Sequence, residues 1–208
     1  MNLILRRYQI EAGPVMNIRP VILAALLPLA ACGSAPGSQP PLAGAKIGGP
    51  FALTAEDGRR VTDRDFAGRW RIMYFGYTYC PDVCPTDARN IGAGLKRFEA
   101  EDPARAALVA PLFVTVDPAR DDPAVLKSFT DAFHPRMVGL TGSAEEIAQV
   151  AKEYAVYFRK GDDAAGGGYL MDHSNQAYLM DPEGRPVALL PTDKGPDAVA
   201  AELERWVK

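Results

Sequence analysis

The stretch that decides the fold is RIMYFGYTYCPDVCP, residues 71–85. Its first half, Arg71–Tyr77, is almost entirely apolar and aromatic, which is typical of a strand buried inside a sheet. Two cysteines, Cys80 and Cys84, follow at once, and a helix is predicted from about Cys84 to Glu99. The sequence therefore predicts a buried strand that leads directly into a pair of thiols at the start of a helix.

Strand-like and helix-like segments alternate through the rest of residues 51–208. Ser143 is a good helix N-cap, with Glu146 at the capping-box position. Interleaved elements of this length predict an α/β fold, with a layered sheet flanked by helices. The further segments predicted as strands are 51–55, 108–116, 137–140, 156–160, 176–180 and 187–190, and those predicted as helices are 123–133, 143–154 and 196–207.

Residues 1–31 are predicted to be a signal peptide rather than part of the fold. The apolar run Val21–Ala31 is too short to span a bilayer comfortably but suits a signal-peptide core, and Met16 is the better predicted start. The run ends Leu-Ala-Ala-Cys at Cys32, which resembles the cleavage site of a bacterial lipoprotein. Lipidation of Cys32 is predicted, and an ordinary signal peptide with an incidental cysteine is the alternative.

Residues 32–50 are predicted to form the lipidated cysteine and a flexible tether. Nine of the eighteen residues in 33–50 are Gly or Pro, and no apolar periodicity interrupts them. The predicted location is the periplasmic side of a bacterial membrane, held there by the lipid. The formal net charge of -3 and the lack of a Lys/Arg stripe argue against nucleic acid as a partner.

The two thiols Cys80 and Cys84 carry the predicted chemistry. The positive end of a helix dipole favours a thiolate, and thiolates bind soft metals or attack disulfides. Cysteines four positions apart are about one helical turn from each other, so both sulfurs can point the same way. They can bind one metal ion, form a redox-active disulfide or form a structural one, and their spacing alone does not decide.

The chain has two histidines, and one of them favours metal binding. His134 precedes a proline after a predicted helix and is interpreted as a turn residue. His173 lies just before a predicted strand whose edge could face the thiols. Two thiolates and one imidazole make a three-coordinate site that suits Cu(I). Asp172 is a candidate for the acceptor that fixes the imidazole tautomer.

Four blocks of sequence together resemble one family. The block Tyr74–Thr86, which contains both cysteines, strongly resembles the SCO/SenC family of copper chaperones for cytochrome c oxidase. The blocks Val114–Asp121, Phe133–Arg136 and Asp172–Ser174, the last followed by Tyr-Leu-Met-Asp, agree in the same order. The resemblance covers roughly residues 46–208.

The resemblance implies a thioredoxin-like fold and a copper site on Cys80, Cys84 and His173. It implies copper held as Cu(I), with Cu(II) left open, and delivery to the binuclear copper centre of the oxidase. The expected partners are the copper-site subunit of the oxidase, other periplasmic copper carriers or thiol reductants, and the membrane through the lipid anchor.

The alternative function is an enzymatic one, in which the dithiol reduces the cysteines of the oxidase copper site before copper arrives. Thioredoxin-type oxidoreductases place a cis-proline beside the active cysteines. No proline lies between Gly168 and Asp181, where His173 is found instead, and this favours metal binding. A peroxidase is less consistent with the sequence, because Tyr77 stands where a threonine would precede the reactive cysteine.

Overall fold

The computed structural model describes residues 39–163 and 168–208, together with Gly13. The predicted signal peptide, Cys32 and the tether as far as residue 38 lie outside the described residues, apart from Gly13. Residues 164–167, which include part of the glycine-rich turn before Gly168, also lie outside them. Among the described residues, no helix is both long enough and apolar enough to cross a membrane.

The described residues form nine strands and five α-helices. The strands are β1 (Ala52–Ala55), β2 (Arg60–Thr62), β3 (Trp70–Gly76), β4 (Val109–Thr115), β5 (Val138–Thr141), β6 (Phe158–Asp163), β7 (Tyr169–His173), β8 (Ala177–Met180) and β9 (Pro186–Leu190). The helices are α1 (Val83–Glu101), α2 (Pro103–Ala107), α3 (Pro123–Asp131), α4 (Ala144–Glu153) and α5 (Pro196–Trp206). The predicted elements are present within a few residues of their expected bounds, and β2, β7 and α2 were not predicted.

Seven strands form one mixed sheet in the order β2-β1-β5-β4-β3-β8-β9. Strands β3, β4 and β5 are parallel, and the other neighbours are antiparallel. All seven residues of β3 and all seven of β4 are buried, which is what a continuous apolar run predicts for a central strand. The predicted central mixed sheet with flanking helices is confirmed.

Side chains of β3 alternate between two packed layers. On one face, the rings of Tyr74 and Phe113 lie 5.8 Å apart, and Phe129 of α3 packs on Phe113 at 4.9 Å. On the other face, Phe75 contacts Tyr154, which follows α4, at 5.4 Å. Helices therefore cover both faces of β3, and the carboxyl end of this strand is fixed between them.

The segment just before β1 is part of the folded domain, whereas the sequence analysis assigned it to the tether. The backbone N–H of Leu42 donates to the carbonyl of Val187 at 3.0 Å, and that of Gly48 donates to the last residue of α4 at 2.8 Å. Leu42 and Ile47 also pack on the hydrophobic core. The predicted start of the domain at Phe51 is therefore too late, because two apolar side chains anchor an otherwise Gly- and Pro-rich stretch.

Strands β6 and β7 form a separate two-stranded hairpin. His173, predicted to lie just before a strand, is the last residue of β7 and pairs with Phe158 of β6. No residue of β7 is fully buried. The apolar alternation that reveals a half-buried strand is therefore weak here, and the hairpin was not predicted.

Helix α1 packs closely against α5 at Gly94. A Cβ atom added to Gly94 would lie 2.7 Å from Cβ and Cγ1 of Val199 and 2.9 Å from the carbonyl oxygen of Pro196. A glycine inside a helix costs about 1 kcal/mol relative to alanine. Close approach of the two helices is the reason for glycine at this position.

We expect Gly94→Ala to destabilise the domain by about 1–2 kcal/mol, because overpacking against Val199 and Pro196 outweighs the gain in helix propensity. Denaturant unfolding of the two proteins measures the difference. Propensity alone gives the opposite sign, so a more stable variant would show that α1 and α5 have room to move apart.

Candidate metal centre

The fold brings together Cys80, Cys84 and His173, the three residues predicted as metal ligands. Their ligand atoms all lie within 4.8 Å of one another. The sulfur of Cys84 is 3.2 Å from Nε2 of His173, although 89 positions separate the two residues in the sequence. One ion can therefore contact all three groups after only a small adjustment of their side chains.

Both cysteines lie where β3 passes into α1. Cys84 is the second residue of α1, whereas Cys80 lies in the turn before the helix and not in its first turn, as the spacing suggested. The backbone N–H of Cys84 donates to the sulfur of Cys80 at 3.4 Å. The start of the helix thus directs a backbone N–H donor at the sulfur of Cys80.

Cys84 is fully buried, and Gly76 makes room for it. A Cβ at Gly76 would lie 3.1 Å from the Cys84 sulfur and 2.9 Å from the ring of Tyr74. Burial raises the pKa of the Cys84 thiol, so the expected preference for a thiolate does not hold here without a metal. A bound cation would supply the positive charge that allows this thiol to lose its proton.

A buried polar pair lies beneath Cys84. The hydroxyl of Tyr74 donates to Asp87 at 3.0 Å, and burial raises the pKa of both side chains. Sequence reasoning did not identify this pair as part of the site. The available signal was a tyrosine inside an apolar strand, because a buried tyrosine hydroxyl needs a hydrogen-bond partner.

The imidazole of His173 is oriented for metal binding. Its Nδ1 lies 2.8 Å from the carbonyl oxygen of Ser174, and since a carbonyl only accepts, Nδ1 carries the proton. In that tautomer Nε2 is the acceptor nitrogen of the ring, and it faces the sulfur of Cys84. The ring also makes an edge contact with Tyr77, with the ring centres 5.7 Å apart.

Asp172 does not fix the tautomer of His173, and that prediction is wrong. Its carboxylate accepts from Arg159 at 2.6 Å. Successive side chains of a strand point to opposite faces, so Asp172 of β7 points away from the face that carries His173. The carbonyl of Ser174 takes the role assigned to this aspartate.

His134 lies outside the cluster and has the structural role expected of it. It is 1% exposed, its Nδ1 accepts from the backbone N–H of Arg136 at 3.1 Å, and its Nε2 lies 3.3 Å from Glu99. Its carbonyl accepts from Met137 and closes the turn after α3. Burial lowers the pKa of this imidazole.

The cluster opens on one side to solvent. A cleft of about 440 Å³ is lined by Cys80, Val83, Met171, Asp172, His173 and Asn175. Cys80 is half-buried, whereas Cys84 is fully buried behind it. Tyr79 and Val83 leave large apolar surfaces exposed beside the opening. The three donors therefore differ in how easily another molecule can reach them.

Comparison with known proteins identifies the family. The family model described as SCO1/SenC matches residues 39–208, and the chain belongs to this family. It is 45% identical over 174 residues to the protein SenC of Rhodobacter capsulatus, covering 82% of this chain and 73% of that protein. It is 40% identical over 168 residues to mitochondrial SCO1 homolog 1 of Arabidopsis thaliana, covering 79% of this chain and 49% of that protein. The chain thus spans about half the length of the plant relative that it matches.

Solved structures agree with this assignment. ScoI of Bradyrhizobium japonicum, solved with copper bound, is 41% identical, with a TM-score of 0.69 over 77% of this chain and 99% of that one. The thioredoxin domain of a thiol-disulfide oxidoreductase from Bacteroides vulgatus is 15% identical, with a TM-score of 0.53 over 78% of this chain and 96% of that one. At that identity the second likeness concerns the fold alone, and it confirms the predicted thioredoxin-like fold.

The donors present suit copper. Thiolates are soft ligands that select Cu(I), and imidazole is an intermediate ligand that copper also accepts. A closed structural zinc site takes four protein ligands, whereas this group has three among the described residues. The Cys/Cys/His group therefore fits the metal that is bound in the solved relative.

We expect His134→Asn to remove part of the acid sensitivity of folding. The lowered pKa of His134 means that the folded state resists its protonation, so this residue's contribution to stability is present above about pH 6.5 and is lost as pH falls. Asparagine keeps an acceptor for Arg136 but cannot titrate. Unfolding at about pH 8 and about pH 5 should show a smaller loss in the variant. An equal loss in both proteins would contradict this.

Proposed function

We propose that the protein binds Cu(I) through Cys80, Cys84 and His173 and delivers it to the binuclear copper centre of cytochrome c oxidase. The observation that carries the proposal is the placement of Nε2 of His173 3.2 Å from the buried sulfur of Cys84, while Nδ1 is held by the carbonyl of Ser174. Membership of the SCO1/SenC family supports the cellular role, because the Sco family is described as one of cytochrome c oxidase assembly proteins.

The residues divide the work of holding the cargo. Thiols bind a metal as thiolates, so uptake of the ion releases protons. The imidazole turns Nε2 toward the ion, because Nδ1 is held by the Ser174 carbonyl. The Tyr74 hydroxyl, which donates to Asp87, also lies against the Cys84 side chain. The Ser174 carbonyl keeps the imidazole in the tautomer that can bind.

The difference in exposure between the ligands sets an order of release. A ligand of the receiving protein that enters the cleft meets Cys80 and His173, whereas Cys84 lies behind them without exposed surface. Cys80 is therefore the first sulfur to be replaced, and Cys84 is the last. This order keeps the ion bound to one protein or the other throughout the transfer.

The second candidate function is thiol–disulfide exchange with the oxidase. The two thiols are free in the structure, and Cys80 is the more exposed of the two, so it is the sulfur that a disulfide of the partner would reach first. In that reaction the dithiol is oxidised to a Cys80–Cys84 disulfide while a disulfide of the partner takes up two electrons and two protons. His173 supplies no atom to it, and this difference separates the two functions.

We expect the reduced protein to bind one Cu(I), with two sulfurs and one nitrogen in its X-ray absorption spectrum. His173→Ala should remove the nitrogen and weaken binding on the order of a hundredfold, since a two-coordinate site replaces a three-coordinate one. His134→Asn, which changes the other histidine, is the matched control and should bind like the wild type. A four-sulfur site, or zinc held more tightly than copper, would contradict the proposal.

The same variant decides between the two functions in cells. As a chaperone, His173→Ala should show an oxidase assembly defect close to that of Cys84→Ser, and added copper should partly rescue it. As a reductase, the variant keeps both sulfurs and should assemble the oxidase at limiting copper. Cys80→Ser and Cys84→Ser do not separate the functions, because both mechanisms need both thiols.

The proposed location is the periplasmic face of a bacterial membrane, with Cys32 as the lipid-bearing residue. The support is the lipoprotein-like sequence that ends at Cys32. Gly48 lies near the start of β3, because it packs near Met180, which pairs with Arg71 of that strand. Cys80 lies beyond the other end of β3. An anchored chain would enter at one end of the sheet and present its thiols roughly 20 Å away at the other.

We expect Cys32→Ala to abolish lipid attachment, so that the variant is found free in the periplasm or remains uncleaved. Membrane fractionation together with mass spectrometry of the amino-terminal peptide measures this. Wild-type protein recovered unmodified from the soluble periplasmic fraction would exclude the anchor.

A further inference from the structure

The hairpin that carries His173 is not a strand of the main sheet. Among the described strands, β6 and β7 pair only with each other, in a two-stranded sheet apart from the seven-stranded one. The cysteines, in contrast, lie where the central strand β3 passes into α1, with Cys84 in the helix and Cys80 in the turn before it. The distance between His173 and the thiols therefore depends on how the hairpin is fastened to the rest of the domain.

The loop between β4 and α3 fastens the first residue of β7. Nη1 of Arg120 donates to the carbonyl of Tyr169 at 2.9 Å, and its guanidinium lies 3.7 Å from the centre of the Tyr169 ring. The Tyr169 hydroxyl donates to Asp117 at 2.7 Å, and Asp117 also accepts from Nε of Arg120. Tyr169 is thus held through its carbonyl, its ring and its hydroxyl by two side chains of one loop.

The same loop also holds the segment before the cysteines. The guanidinium of Arg120 lies 4.9 Å from the ring centre of Tyr79 and 5.7 Å from that of Tyr77, which itself contacts the His173 ring. Asp121 accepts from the backbone N–H of Thr78 at 3.0 Å and from its hydroxyl at 2.6 Å. Arg120 therefore lies at the junction between the cysteine-bearing segment and the histidine-bearing hairpin.

Burial makes these contacts specific. Asp117 is 3% exposed and the Arg120 side chain is 20% exposed, so their ion pair is largely removed from water. Nη2 of Arg120 is buried without a hydrogen-bond acceptor among the described residues. A guanidinium confined in this way has one good orientation, which is the orientation that binds Tyr169.

We infer that Arg120 is a positioning residue that holds His173 in place as a metal ligand, by clamping Tyr169 of the hairpin to Asp117. The effect of Arg120 on copper binding rests on the proposed copper function, whereas its contacts with Tyr169 and Asp117 are present in the metal-free protein. Without Arg120, Cys84 stays where β3 and α1 place it and Asp121 still holds Thr78 before Cys80, while the hairpin loses two of its attachments. Copper binding then shifts from two sulfurs and one nitrogen towards two sulfurs.

The first test uses the metal-free protein. Hydrogen–deuterium exchange of the amides in β6 and β7 should be faster in Arg120→Gln and, to a smaller extent, in Tyr169→Phe, with no change in β3 and β4. Arg185→Gln removes an arginine that pairs with Asp181 in the β8–β9 turn, and Tyr157→Phe removes an exposed hydroxyl beside the hairpin. Both controls should exchange like the wild type. Unchanged exchange in the hairpin of Arg120→Gln or, if that variant does not fold, of Tyr169→Phe would overturn the inference.

The second test measures Cu(I) binding by competition with a chelator and the ligand set by X-ray absorption. Arg120→Gln should bind about tenfold more weakly, with a reduced nitrogen contribution, and Arg120→Lys should recover part of the loss because it keeps the charge. In a His173→Ala background, Arg120→Gln should cause little further loss, because the residue acts through the histidine. An equal loss in both backgrounds would overturn the inference.

The two proposals fail in different ways. A wild-type protein that takes up no Cu(I) would exclude the proposed function, and the exchange experiment would still decide whether Arg120 holds the hairpin. The opposite outcome is a wild-type protein with two sulfurs and one nitrogen around copper and an Arg120→Gln variant with the same spectrum and affinity. That result would support the proposed function and exclude the role of Arg120.

Discussion

The burial of the Cys84 sulfur at the end of β3 is the constraint on which the rest of the site depends. Gly76 leaves space for this sulfur, and Tyr74 and Asp87 close the space behind it. Because β3 lies in the middle of the sheet with both faces covered, this sulfur has a fixed position in the domain. The other two donors are arranged around it, and each is less deeply buried.

This arrangement combines secure holding with access. A site made entirely of buried ligands would bind a soft cation tightly, but a receiving protein could not reach the ion. A fully exposed site would exchange copper with any competing thiol. Here Cys84 is fully buried, whereas Cys80 and His173 are both partly exposed and line the cleft. Burial also raises the pKa of Cys84, so its thiolate is favoured when a cation is present to offset the charge.

The hairpin gives the site a ligand that can be adjusted separately from the thiols. In a thioredoxin-like fold the dithiol position is set by a central strand and the helix after it. The histidine is added by β6 and β7, which pair with no other strand in the described part of the chain. Side-chain contacts from the β4–α3 loop, rather than a strand ladder, join that hairpin to the domain. Such contacts can be broken one at a time, whereas moving a central strand would disrupt the core.

The sequence by itself determined the central strand, the helix after it and the three metal-ligand candidates. A continuous apolar run identifies a strand that is covered on both faces, because a strand with one face in solvent alternates apolar and polar residues. The cysteines follow this run directly, so they lie near the end of the buried strand. Only the tertiary structure decided that Ser174 rather than Asp172 orients the imidazole of His173. Side chains alternate between the two faces of a strand, so Asp172 and His173 are recognised as pointing apart only once β7 is known to be a strand.

Tertiary structure also decided the contacts that join distant parts of the chain. The packing of Leu42 on the domain, the burial of Cys84 and the clamp of Arg120 on Tyr169 each depend on residues far apart in sequence. Local patterns report which residues are apolar or reactive and at what period they recur. They carry no information about which loop meets which hairpin, because that is set by the pairing order of the strands and the space left between the packed helices.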